Sequence, residues 1–245
     1  MAPDLEPITV VVGVNGGIGG ALAEALGRSD AQGHVVGLSR SRPTGWIDDA
    51  RRTWIPADIL DEDTLAAAAR RIAAIGAPER IVVATGRLAA AGRGPEKTMR
   101  SLDLESLSEI MAVNAAGPAL AAKHLLPLTP RDRRSVFAAL SARVGSIGDN
   151  RSGGWYGYRA SKAALNMILR TLAIEHARTR PLGVCVALHP GTVETALSAP
   201  FLAGVPAEKR FTPQRSAAAL LTVMDGLGPA DTGGVFAWDG TPIPW

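Results

Sequence analysis

Tyr158 and Lys162 stand four residues apart in the segment Tyr158-Arg159-Ala160-Ser161-Lys162. On a helix that spacing puts both side chains on one face, one turn apart. A nearby ammonium favours phenolate and lowers a tyrosine's pKa, which would make Tyr158 a usable general acid at neutral pH. The same spacing also arises by chance as a solvated surface pair. Tyr156 competes for the role, but its i+4 neighbour is Ala160, which supplies no charge. The four histidines, His34, His124, His176 and His189, show no ligand spacing, so no metal site is expected. His124 and His176 fall on helical stretches and read as structural. No Gly-x-Ser-x-Gly elbow of a hydrolase occurs.

A second constellation lies near the start of the chain. An apolar run leads into Gly13-Val14-Asn15-Gly16-Gly17-Ile18-Gly19-Gly20, and a helical stretch follows at once. Glycine permits the tight turn and lets a pyrophosphate approach the backbone. The free N–H groups and the positive end of the helix dipole then hold the anion. A glycine-rich turn without a ligand is the plainer alternative. Its place after the first strand and at a helix start favours a dinucleotide. The second strand ends Gly37-Leu38-Ser39-Arg40-Ser41-Arg42, with no acid between Asp30 and Asp48. An acid there would hold ribose hydroxyls and repel a 2′-phosphate; Arg40 can pair with that phosphate and Ser39 can donate to it. NADP(H) is therefore the expected cofactor. Asp58, followed by Ile59, is placed to accept from the adenine amino group or to cap a turn.

These residues need a frame. Apolar runs at 8–13, 34–39, 54–57, 80–85, 135–141, 182–189 and 233–238 read as strands. Helical stretches at 17–28, 61–75, 104–126, 155–178 and 213–226 alternate with them, and Asp61 is placed to cap the second. The strands are apolar throughout, without an alternating polar face, which is the pattern of a parallel sheet buried on both sides. Such alternation predicts an α/β fold with a doubly wound parallel sheet in three α/β/α layers. No repeat or low-complexity linker divides the chain, so a single domain over 1–245 is expected.

Composition removes whole classes. Of 245 residues, 47% are apolar and 20% charged, enough apolar surface to offset chain entropy and exclude disorder as the main state. The lone cysteine, Cys185, excludes a disulfide scaffold. It sits in an apolar run and reads as a small buried hydrophobe. No stretch reaches the roughly 20 apolar residues of a membrane span, and the first residues lack a signal peptide's pattern. A cytoplasmic protein with no membrane partner is expected. The net charge of +3 is small and spread out. The one dense basic group, Arg131, Arg133 and Arg134, is too short for a nucleic-acid stripe and reads as a solvated loop.

Taken jointly and in order, Gly13, Gly17 and Gly19, Asp58, Asn114, Tyr158 and Lys162, and the run Pro190-Gly191-Thr192-Val193-Glu194-Thr195 resemble the short-chain dehydrogenase/reductase family, over essentially the whole chain. The segment Ser141-Ala142-Arg143-Val144-Gly145-Ser146-Ile147 and the ending Trp238-Asp239-Gly240 look like its C-factor branch. The resemblance implies a Rossmann-type fold and a homodimer or homotetramer. It also implies hydride transfer between a nicotinamide cofactor and a carbonyl or alcohol. The alternative within the same family is a cofactor-binding regulatory protein with little or no turnover.

Residue by residue, the resemblance makes Tyr158 the proton donor and Lys162 its tuner and ribose ligand, with Asn114 holding a proton-relay water. Cofactor contacts are implied at Gly13, Asn15, Gly17, Ile18, Gly19, Ser39, Arg40, Asp58, Ile59, Gly86, Tyr158, Lys162, Pro190, Gly191, Val193 and Thr195. The chain adds a physical reason for Asn114. Pro118 has no N–H, so the carbonyl four residues back, that of Asn114, loses its helical partner. Two positions depart from the family. Ala142 stands where a substrate-orienting serine is usual, leaving Ser141 or Ser146 to supply the hydroxyl, Ser141 being preferred at the strand end. Val83-Ala84-Thr85-Gly86 replaces an asparagine-rich turn. The family's substrate loop here is 196–206, uncharged and apolar. With Trp155 as a further wall, it predicts a small apolar carbonyl compound, aromatic ones included, as the substrate; packing of Leu197, Phe201 and Leu202 against the body or a neighbouring subunit is the equal alternative.

Overall fold

The computed structural model describes residues 7–28 and 33–245. Seven strands form one sheet: β1 (Ile8–Val12), β2 (His34–Ser39), β3 (Arg52–Pro56), β4 (Pro78–Val83), β5 (Ser135–Leu140), β6 (Gly183–His189) and β9 (Val235–Ala237). Their order is β3-β2-β1-β4-β5-β6-β9, and every pairing is parallel. The chain thus winds outward from β1 in one direction and from β4 in the other. A two-stranded pair, β7 (Thr192–Val193) with β8 (Arg210–Phe211), lies outside the main sheet.

Burial on both faces follows from the apolar runs. Ile8, Val10 and Val12 of β1 join one core, Val11 the other. The first core is closed by α2 (Glu62–Ile75), α4 (Gly117–Leu125) and α5 (Tyr156–Ala177); the second by α1 (Gly17–Gly27) and α6 (Pro213–Gly226). This is the expected three-layer, doubly wound fold. Asp61 caps α2 as expected, its carboxylate accepting from the N–H groups of Asp63 and Thr64.

Some local expectations need correction. The stretch 104–126 is not one α-helix. α3 (Leu104–Met111) and α4 are joined by a π turn over Ala112–Ala116, in which the Gly117 N–H reaches back to Ala112 O. Pro118, the second residue of α4, cannot donate to Asn114 O, and the chain takes up the mismatch as a wider turn. The basic loop is not merely solvated. Arg134 donates from Nε to Leu227 O at 2.9 Å and also reaches Met224 O, so it satisfies carbonyls at the C-terminal end of α6, while Arg133 pairs with Glu79. Among the described residues no helix is long and apolar enough to cross a membrane.

Candidate active site

The glycine turn hands β1 to α1. Gly13 takes φ +95°, a conformation that favours glycine. A Cβ on Gly19 would lie 2.3 Å from Gly13 O, so helix and turn pack backbone to backbone. The start of α1 has neither a side-chain cap nor an acidic residue in its first turn, which leaves its N–H groups to an anion. A Cβ on Gly17 would lie 2.8 Å from Thr195 Cγ2, so the segment after β7 closes over the same helix start. Two elements far apart in sequence are thereby brought to one helix start.

A groove of about 450 Å³ runs from there along the carboxyl ends of β1, β2 and β4, lined by Gly13, Asn15, Ser39, Arg40, Asp58, Ile59 and Gly86. Asn15 Nδ2 donates to Ser41 O at 2.6 Å and ties the glycine turn to the loop after β2. Arg40 is exposed on the groove and makes no ion pair among the described residues; Arg42 is held by Asp48 at 2.8 Å. Ser39 departs from expectation. Its hydroxyl donates to Ser41 O and accepts from Trp54 Nε1, so its proton is already used inside the fold. Asp58 Oδ1 accepts from the Leu60 N–H, which fits the turn-capping alternative. Thr85 Oγ1, beside this groove, is buried without a partner. The groove suits an extended, anionic dinucleotide: helix-start donors, a close-approach turn and an unpaired guanidinium follow one another along it.

The groove meets a second cavity at the start of α5. Lys162 is 3% exposed; its Nζ donates to Leu140 O at 2.7 Å and lies 5.9 Å from the Tyr158 ring centroid. A Cβ on Gly86 would sit 3.5 Å from that Nζ and 3.6 Å from Asn114 Oδ1, so the turn after β4 touches both. Asn114, in the π turn, donates to Arg87 O and to Ser161 Oγ and accepts from the Arg87 N–H. Ser161 in turn donates to Tyr158 O at 2.9 Å. Nothing in the sequence pointed to Ser161, which locks the asparagine to the helix that carries the tyrosine. Burial sets the ionisation here. It pushes the Tyr158 phenol up to about 12 and brings Lys162 down to about 8. The expectation of a lowered tyrosine pKa is therefore reversed, because the loss of water on burial disfavours the phenolate.

Tyr158, Ser141, Trp155, Ile18, Thr195 and Phe201 border this second cavity, of about 260 Å³. Pro190, Gly191 and Val193 line it as well. Ser141 Oγ donates to Asn166 Oδ1 at 2.7 Å, and Ser146 Oγ is shared between Trp245 O and the Asp149 N–H. Ser141 lines the cavity with its proton directed to Asn166, and Ser146 does not line it. Asn166 and Glu96 are further residues that sequence reasoning missed. Asn166 sits one turn beyond Lys162, a spacing that was there to be read; Glu96 bonds to residues about sixty positions away, with no local signal.

A family model described as short chain dehydrogenase matches residues 7–205. C-signal of Myxococcus xanthus is 37% identical over 145 residues, 59% of this chain and 81% of that protein. The 1-hydroxy-2-glutathionyl-2-methyl-3-butene dehydrogenase of Rhodococcus sp. (strain AD45) is 36% identical over 146 residues, 59% of this chain and 61% of its own length. A short-chain dehydrogenase/reductase from Burkholderia multivorans, solved with bound NADP, superposes with a TM-score of 0.78 at 25% identity, covering 98% of this chain and 100% of that one. The fold and the matched family are those of an α/β oxidoreductase. The chain belongs to the short-chain dehydrogenase family, which uses nicotinamide cofactors.

Proposed function

We propose that the protein is an NADPH-dependent oxidoreductase that interconverts a small apolar carbonyl compound and its alcohol. The observation that carries this reading is the Tyr158 phenol on the wall of an apolar cavity, with Lys162 one turn behind it at the junction with the dinucleotide groove. The residues present fit the cofactor. The N–H groups at Gly17, Ile18 and Gly19 and the Thr195 side chain would hold its pyrophosphate, and Arg40 its 2′-phosphate. Ile59, Gly86 and the segment from Pro190 through Gly191 to Val193 would enclose it, with Asp58 by the adenine. Bound there, the cofactor supplies the hydride. A phenol with its pKa near 12 is neutral at pH 7, so Tyr158 gives its proton from Oη to the carbonyl oxygen as negative charge develops there. Lys162 stabilises the phenolate that remains. Asn114 fixes the Arg87 backbone and Ser161, and through them the start of α5, and its carbonyl would hold a relay water. Ser141, whose proton goes to Asn166, offers an alcohol product an acceptor and a carbonyl oxygen no donor. Oxidation of NADPH with a panel of neutral ketones and aldehydes tests the reading. Tyr158→Phe should lower turnover by at least about 10²-fold with little change in cofactor binding. Turnover by the variant at the normal rate would refute the role of Tyr158. A homodimer or homotetramer is the assembly proposed with this reading, and light scattering on the purified protein reads it.

Ala142 supports a second reading, a cofactor-binding regulatory protein without turnover, and the similarity to C-signal is consistent with it. NADPH binding with no oxidation across the panel would favour that reading.

A further inference from the structure

Immediately before α5 the chain runs through three successive left-handed residues: Gly153 at φ +62°, Gly154 at +65° and Trp155 at +54°. Glycine adopts this conformation without penalty; a bulky side chain there is an outlier. Trp155 is the only non-glycine residue with positive φ among the described residues. The turn is held on both sides. The Trp155 N–H donates to Glu96 O at 2.5 Å, the Gly157 N–H to Glu96 Oε2 at 3.2 Å, and Arg159 Nε to Gly154 O at 2.9 Å. Strain of this kind persists where its surroundings over-determine it, and it concentrates at ligand clamps.

A third glycine would make the same turn without strain, so the reason for tryptophan lies in its side chain. The indole stands edge-on to the Tyr158 ring, with centroids 6.3 Å apart at 66°, and edge-on to Phe201, 5.3 Å away at 62°. Phe201 belongs to the 3₁₀ segment Ala199–Gly204 that borders the cavity. Trp155 therefore spans from the proton donor to the cavity's outer wall. The one charged residue lining the cavity, Arg143, is paired with Asp149 at 2.8 Å.

We propose that Trp155 is the specificity-determining residue of this site and selects neutral carbonyl compounds whose carbonyl carries an aromatic ring. This rests on the carbonyl-reducing reading above. A substrate aryl group beside Tyr158 continues the edge-to-face series begun by Phe201 and Trp155; a saturated ring of the same size does not.

The experiment compares acetophenone, cyclohexyl methyl ketone and the keto acid benzoylformate, with NADPH, in the native protein, Trp155→Gly and Trp155→Phe. Glycine suits the left-handed backbone, so Trp155→Gly removes the wall and relieves the strain; circular dichroism checks its fold. The native protein should favour acetophenone over the cyclohexyl ketone in kcat/KM by about tenfold. Trp155→Gly should bring that ratio close to one, and Trp155→Phe should retain most of it. An equal ratio in the native protein, or one unchanged in Trp155→Gly, overturns the proposal while the reductase reading stands. Preference for benzoylformate also overturns it and gives the selecting role to Arg143. If no ketone is reduced by any of the three proteins, the reductase reading falls. Calorimetry of acetophenone with the NADPH-loaded proteins then decides: binding lost in Trp155→Gly and kept in Trp155→Phe retains the aromatic slot, and absence of binding to the native protein removes it.

Discussion

Lys162 surrenders nearly all its water on folding and receives the Leu140 carbonyl in exchange. One neutral acceptor does not replace hydration, so its pKa falls from 10.5 to about 8. The consequence for activity has a definite sign. Below about pH 8 Lys162 is charged and, in the proposed mechanism, would stabilise a developing Tyr158 phenolate; above it the charge is lost, while the phenol stays protonated to about 12. kcat/KM for carbonyl reduction should therefore decline as pH rises through about 8, and a rate profile flat to pH 10 would contradict this assignment. At the other end of the groove, Arg40→Asp would turn the proposed pair with a 2′-phosphate into a repulsion. NADPH binding, followed by fluorescence titration, should weaken more than tenfold. Equal binding of NADH and NADPH by the native protein would remove Arg40 from the role. Among single residues the Tyr–Lys pair was legible because its signal is a local spacing. The fate of the Ser39 and Ser141 hydroxyls was not, because their acceptors, Ser41 O and Asn166, compete with any ligand only once the chain is folded.

The elements were legible to the degree that their signals are local. Strands buried on both faces announce themselves as apolar runs, though β3 begins at Arg52 and β4 at Pro78, each two residues before its apolar run. β7 and β8, two residues each, carry no periodicity to find. The break in 104–126 was half visible. Pro118 identified which carbonyl would lose its partner, but a π turn and a simple kink satisfy the same sequence. The turn of Gly153, Gly154 and Trp155 was hidden, since its holding bonds come from Glu96. Gly19 makes an element-scale prediction. Gly19→Ala forces its methyl group against Gly13 O, a backbone atom with no freedom to withdraw. Stability should drop by about 1–3 kcal/mol, read as a lower urea midpoint, and NADPH affinity should drop with it. An unchanged midpoint would show that α1 can shift off the turn.

Across the whole molecule, two histidines couple stability to pH. Burial holds both His176 and His189 down to about 4, against 6.5 in the unfolded chain. Between those values the unfolded state binds protons that the folded state does not, so stability is complete above about pH 6.5 and is lost as pH falls toward 4. Each site contributes a slope of up to about 1.4 kcal/mol per pH unit. Urea midpoints from pH 7 to pH 4 should show the decline, and His176→Gln should make it shallower; equal slopes in the two proteins would exclude His176 as a source. The sheet has a consequence in time as well as in energy. With every pairing parallel, no two neighbouring strands can close through a tight hairpin; each must wait for a crossover. β1 finds its partner β4 about seventy residues later, and β6 stays an edge strand until residues 235–237 arrive. A chain emerging from the ribosome therefore carries an apolar, unpaired edge through most of its synthesis, and its vulnerability to aggregation is greatest just before the last strand is made.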